Sequence, residues 1–372
     1  MNQDFVPINE ADKLMDTRIK TYGYFSGDAG SFTGTGFITA SLSAGNKEYY
    51  YTLQNASAVD QLSVAYGHIE GSGSSDTDTS TGNPGQSEAI YKSIANRVLD
   101  VDEAKVGFCF TASQYATSAN RKKDIYVIAA HRSRMRDELD RRFWTIQLSG
   151  SSVSGTASIK SFTDNSQYSA GEPTQAGNRY NIISGSQGNK NAGDSTVYGH
   201  FYPAAGLIIF DASQLSASSV GGTHNAKLSG GNDVWGVAIN GGDEGGGSGL
   251  AHARGWGLAP NLGTAGTENN ALRLASAMYR GTQTLRAKER FMQQNYLCRA
   301  GASVFNYTDN PSYTTGSNAD WTVESFQSDP TTYISRVGLY DSQQVLVAVG
   351  TLSKPLLKNE YTELIFKLRL TY

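Results

Sequence analysis

Cysteine, histidine and charge of one sign are all scarce in this chain, and each shortage removes a class of function. Two cysteines, Cys109 and Cys298, among 372 residues exclude a disulfide framework, and both are read as ordinary buried thiols. Five histidines, His68, His131, His200, His224 and His252, never fall at a spacing that aims two imidazoles at one metal ion, so no metal and no cofactor is expected. A formal net charge of −3 supplies no field that would gather nucleic acid or an anionic membrane. No window approaches the roughly eighteen uninterrupted apolar residues of a membrane span. The opening stretch MNQDFVPINEADKLMDTRIK carries charges throughout and has no apolar core of a signal peptide. An aqueous, reducing compartment is the expectation.

Catalytic signatures are missing as well. There is no G-x-S-x-G elbow, P-loop or dinucleotide fingerprint, and no iterated β-helix repeat. Carboxylates cluster as Asp100/Asp102/Glu103, Asp137/Glu138 and Asp243/Glu244. The first group closes a helix, the second sits among arginines, and the third lies in a glycine loop that would not preorganise a transition state. All three are read as solvated surface, and the chain as a non-enzyme.

What replaces charge, at 17% against the usual quarter, is Ser, Thr, Asn, Tyr and 41 glycines. That mixture suits strands with one wet face and the turns that join them. The expected fold class is mainly β with a few helices, in antiparallel, sandwich-like sheets with long Gly/Ser loops. Strands are predicted at 47–53, 61–69, 124–131, 143–148, 180–184, 196–202, 206–210 and 234–239. Residues 71–86 and 241–249 read as surface loops. Between these, Ile90, Tyr91, Ile94, Ala95, Val98 and Leu99 form one helical stripe with Ser87 as N-cap. The mixed charges of 132–142 suggest a solvated, salt-bridged connection. A helix over 268–290, interrupted near Gly281, reads as a connecting arm rather than a core element.

The C-terminal part predicts two hairpins, 294–300 with 303–307 about Gly301-Ala302, and 332–340 with 345–352 about residues 341–344. In the last strand Leu364, Phe366, Leu368, Leu370 and Tyr372 alternate with Ile365, Lys367, Arg369 and Thr371, which gives one apolar face. Composition divides the chain into 1–150, 151–265 and 266–372. Tyr50 in a triple-tyrosine run, together with Trp235, Trp256 and Trp321 in Gly-rich or polar surroundings, are the candidate partner contacts, because exposed aromatics anchor interfaces or sugars.

Several stretches together resemble a structural protein of contractile-tailed phages, especially those of marine cyanobacteria. They are LSVAYGHIEGSGS with SEAIYKSIANRVL, DIYVIAAHRSRMRDELD before RRFWTIQL, YNIISGSQG, YGHFYPAAGLIIFDASQL, YLCRAGASVFNYTDNPSY, and DPTTYISRVGLYDSQQVLVAVGTLSKPLLKN before the closing FKLRLTY. The likeness runs in order along nearly the whole chain, and FNYTDNP and VGLYDSQQVLVAVGTLSKP are its distinctive parts. It implies a virion component of the tail baseplate, assembled in the bacterial cytoplasm in several copies, with other phage structural proteins as partners. The chain departs from the pattern chiefly at 211–265, the stretch tied to partner choice. Two other placements stand beside it: a host-glycan-binding fibre or spike module, and a neck or capsid-attached protein.

Overall fold

The computed structural model describes residues 5–27, 37–39, 50–54, 59–71, 85–110, 120–151, 157–217, 270–279, 281–302, 304–308 and 310–372. In chain order the strands begin with β1 (Lys13–Gly27), β2 (Phe37–Thr39), β3 (Tyr50–Gln54), β4 (Asp60–His68), β5 (Asp124–Ala130), β6 (Glu138–Leu139) and β7 (Thr145–Ser151). They continue with β8 (Ala157–Asp164), β9 (Glu172–Thr174), β10 (Gly177–Ser186), β11 (Asn189–Lys190), β12 (Gly199–Tyr202) and β13 (Leu207–Asp211). After these come β14 (Gln283–Ala300), β15 (Thr314–Thr315), β16 (Asp320–Trp321), β17 (Thr332–Tyr340), β18 (Leu346–Lys358) and β19 (Leu364–Thr371). The helices are α1 (Gln86–Val98), α2 (Val101–Val106), α3 (Arg132–Met135), α4 (Ala212–Ala217), α5 (Asn270–Tyr279) and α6 (Ser325–Ser328). The protein is mainly β, with antiparallel sheets and few helices, as its composition implies. Among the described residues no helix is long and apolar enough to cross a membrane.

The chain forms two compact units, Lys20–Glu289 on one side and Met1–Ile19 with Arg290–Tyr372 on the other. This differs from the three-way division by composition. The boundary at 150 falls inside β7, which pairs with β8 from Ile146↔Phe162 to Ser151↔Ala157, so one sheet carries on across the drop in charge.

In the larger unit the strands run in the order β14-β7-β8-β10-β12-β13-β5-β4-β3-β2. The two-residue period of the central strands sorts their side chains between two cores. Ile125 and Val127 of β5, with Leu207 and Ile209 of β13, meet Tyr91, Ala95 and Val98 of α1. Tyr126 and Ile128, with Ile208 and Phe210, point the other way, into a core that also holds Trp144, Leu274 and Met278. Both faces are covered, which is why β13 reads as the unbroken apolar run LIIF rather than an alternation. Gly67 lets α1 lie close on β4, since a Cβ there would stand 2.9 Å from the backbone nitrogen of Tyr91.

Several local expectations are corrected. Gly85, not Ser87, is the N-cap of α1, and Ser87 is buried inside the first turn. The expected helix over 268–290 divides: α5 ends at Tyr279, and Gln283, Leu285 and Ala287 then alternate, buried, with Thr284, Arg286 and Lys288 as part of β14. The break belongs to Gly281, whose Cβ would fall 1.7 Å from the carbonyl oxygen of Gln147 in β7. Nor is α5 a connecting arm. Ala271, Leu274, Ala275, Ala277 and Met278 are all buried in the main core, where the alanines allow close approach. The connection 132–142 is not merely solvated either, because Met135, Leu139 and Asp140 are buried.

The C-terminal half of β14 pairs with β19 in eight successive positions, Gln293↔Thr371 to Ala300↔Leu364. The hairpin expected between 294–300 and 303–307 therefore does not form, because a strand some seventy residues later, with a better apolar alternation, takes that edge. The loops at 72–84 and 241–249 and the strand at 234–239 lie outside the described residues.

One half-buried acid gives the larger unit a measurable pH dependence. Asp124 opens β5, and burial, reinforced by the charge of Asp211, pushes its carboxyl up to about 6. Asp211 is itself held by Lys122 at 3.2 Å and accepts from the backbone nitrogen of Ser213 at 2.9 Å, at the start of α4. Between about pH 4 and about pH 6 the folded chain keeps a proton on Asp124 that the unfolded chain has released. Stability contributed by that proton is present at low pH and lost as pH rises through about 6, by at most about 3 kcal/mol. Asp124→Asn is expected to flatten this interval in denaturant titrations taken across it. An unchanged pH slope in the variant would contradict the assignment.

Candidate functional site

The smaller unit is organised around the hairpin of β17 and β18. Asp341 makes the turn: its Oδ1 accepts from the backbone nitrogens of Gln343 and Val345, both at 2.8 Å, and Gln344 takes a positive φ of 64°. This is the turn predicted at 341–344. One face of the hairpin, with Ile334, Val337, Leu339, Ala348 and Leu352, packs on Phe366 and Leu368 of β19 and Ala300 of β14. The apolar alternation expected of the last strand is thus realised, with Phe366 and Leu368 turned inward and Ile365 outward.

The base of the hairpin is fixed by a buried cation. The Lys358 ammonium donates to the Ala302 carbonyl at 2.9 Å, the Asn306 side-chain oxygen at 2.6 Å and the Asn359 carbonyl at 2.7 Å. All three of its donors are used, which is the condition for burying a lysine. Burial still pulls its pKa below the ordinary lysine value. Elsewhere in the unit Arg299 grips buried Asp12, with its Nη2 at 2.8 Å from Oδ1, and the hydrogen bond holds that carboxyl below the usual carboxylate range.

The other face of the hairpin is apolar and exposed. Val347 and Val349 are 62% and 52% exposed, and Tyr340, Leu346, Tyr333 and Leu357 are exposed with them. Phe5, also exposed, meets Tyr340 edge-on at 4.9 Å and extends the same surface. Among the described residues β17 and β18 pair only with each other, so each presents an outer edge of backbone donors and acceptors. The register breaks between Ile334↔Leu356 and Arg336↔Thr351, where the stretch 352–355 faces a single residue. Pro355 sits in that break, where its missing N–H is tolerated. Arg336, Lys354 and Pro355 therefore blunt the base, and the pairing-competent part is the distal arm, 337–340 with 346–350.

Two of the four aromatic candidates fall among the described residues. Tyr50 is 37% exposed on β3 in the larger unit, while Trp321 belongs to the smaller unit and is half-buried against Phe326 at 4.8 Å. Trp235 and Trp256 lie outside the described residues. The surface that does stand out carries a readable signal, because Val345-Leu346-Val347-Ala348-Val349 is apolar at both parities. A hairpin with one solvated face needs apolar residues at only one.

His200 is buried beside Phe110 at 5.0 Å, and burial holds its pKa well below the ordinary value. His68 accepts at Nδ1 from the backbone nitrogen of Glu70 at 3.1 Å. Asp102 is exposed and pairs with Lys105 at 3.1 Å; Asp243 and Glu244 lie outside the described residues. Among the described residues no three His, Cys, Asp or Glu side chains gather as a metal site, and Cys109 and Cys298, both half-buried, are not joined in a disulfide. The chain matches no family model, no curated protein and no solved structure.

Proposed function

We propose that this chain is a non-enzymatic structural subunit of a contractile-tailed phage particle. It acts in the tail baseplate, held by neighbouring virion proteins and present in several copies. The observation that carries this reading is the β17–β18 hairpin, whose outer face is apolar and whose distal edges are unpaired among the described residues. A solitary protein blunts such an edge with charge or covers it, since it otherwise templates association. Here the blunting residues, Arg336, Lys354 and Pro355, stand toward the base, and 337–340 with 346–350 carry no charge. The occupant that fits is an extended apolar segment of a neighbouring virion protein, added as a further strand with its side chains against Val347 and Val349. The ordered resemblance to phage structural proteins supports placing that neighbour in a virion, and the VGLYDSQQVLVAVGTLSKP segment that carries much of the likeness is this hairpin.

Quantitative mass spectrometry of gradient-purified particles tests the reading. The chain is expected at a fixed stoichiometry of several copies per particle. Its absence from purified particles made by a host that expresses it would overturn the proposal.

A further inference from the structure

The larger unit holds a cleft of about 600 Å³ lined by Arg141, Arg142, Phe143, the turn 166–170 and Lys288. Three cations and no carboxylate face it, in a chain whose net charge is −3. The walls are built, not incidental. Arg142 takes a positive φ of 71°, and its backbone nitrogen donates to fully buried Asp164 at 2.8 Å. The same carboxylate accepts from the Ser166 nitrogen at 3.1 Å and so ties the facing turn to Arg142. The Arg142 guanidinium then donates across to the Ser166 carbonyl at 3.1 Å.

Lys288 is anchored from behind by buried Asp140 at 2.6 Å, and Arg286 approaches the same carboxylate at 3.8 Å. Arg286 also lies 4.7 Å over the Phe143 ring, and Arg141 is bonded to the Tyr180 hydroxyl. Two carboxylates, Asp140 and Asp164, thus stand against four cations, Arg141, Arg142, Arg286 and Lys288, and the guanidiniums of Arg141 and Arg142 bond only to a hydroxyl and a backbone carbonyl. The excess positive charge is left for a ligand. Tyr168, 60% exposed, offers a ring at the rim, and Gln167 and Ser169 offer both donors and acceptors.

We propose that this cleft binds an acidic sugar, a saccharide unit carrying a carboxylate, sulfate or phosphate group. The cations take the acidic group, in the bidentate manner open to arginine. Tyr168 stacks on the apolar face of the ring, and Gln167 and Ser169 serve its hydroxyls. A bare anion would leave the aromatic ring and the amide unused. An acidic peptide such as polyglutamate, which an arginine cluster can also hold, has no ring face for Tyr168 to stack on. The inference rests on the cleft alone and does not depend on the chain being a virion subunit.

Calorimetric titration of the full chain tests it with a uronate oligosaccharide, a sulfated oligosaccharide, a neutral oligosaccharide, inorganic sulfate and polyglutamate. At least one acidic sugar is expected to bind more tightly than each of the other three probes by about tenfold or more, and to weaken as salt rises. Arg142→Gln with Lys288→Gln should cost about tenfold or more of that affinity. Because these two side chains also brace the cleft, Tyr168→Ala provides a second test: its ring is exposed, and it should weaken the sugar but leave inorganic sulfate unchanged. Equal binding of neutral and acidic sugars, polyglutamate or inorganic sulfate binding as tightly as the sugar, an unaffected Tyr168→Ala variant, or no acidic sugar bound at millimolar concentration would each overturn the proposal.

Discussion

Removing residues 364–372 is expected to unfold the smaller unit. The deleted strand pairs with β14 over eight positions and supplies Phe366 and Leu368 to the core beneath the hairpin. Each of these two side chains contributes roughly 1.5–3 kcal/mol, and half-buried Leu364 and Leu370 add roughly half as much each. Together they approach the ~5–15 kcal/mol by which a whole domain is stable. The loss also uncovers the inner face of β17–β18 and the edge of β14 at once. Hydrogen exchange on the truncated chain should show unprotected amides along Arg290–Ala300 and the hairpin, while β5 and β13 in the larger unit stay protected. Particles supplied only with the truncated chain should fail to incorporate it. Normal protection of β14, or normal incorporation, would show that the strand is dispensable.

Val347→Asp combined with Val349→Asp separates folding from assembly. Both side chains are exposed and turned away from the core, so the stability of the isolated chain should change by no more than about 0.5 kcal/mol. At an interface, however, the two carboxylates would have to be buried without partners, at a cost of several kcal/mol. Incorporation into particles is expected to fall on the order of a hundredfold or more. Val347→Thr with Val349→Thr, which keeps the shape without the charge, should incorporate nearly as well as the parent. If the aspartate pair folds and incorporates normally, the outer face of the hairpin is not the contact.

How far the fold was legible follows from what each segment's neighbours do. The second C-terminal hairpin and the closing strand were readable because their signals are local: a turn residue that caps its own loop, and an apolar period of two. Helix α1 was readable from its stripe for the same reason. Residues 283–290 misled because the alternation of Gln283, Leu285 and Ala287 hides its buried positions behind a glutamine and an alanine, and because charged residues stand between them. The partner of β14 was illegible, since the competition between 303–307 and 364–371 for one edge is decided by long-range packing. Asp140, Asp164 and the cleft they brace belong to two segments and β14, distant in sequence, so the charged run 132–142 revealed none of that arrangement. The exposed face of the hairpin left a trace, the doubly apolar 345–349, whereas of the aromatics singled out from composition only Tyr50 and Trp321 fall among the described residues.

The most direct measurement is a density map of the intact particle at side-chain resolution. It should place the chain in the tail baseplate, with an extended segment of a neighbouring protein along the distal arm of β17–β18 and with Val347 and Val349 covered. A map in which the chain is present but that hairpin face stands in open solvent, or one in which the chain is absent from the particle, would contradict the structural role drawn here.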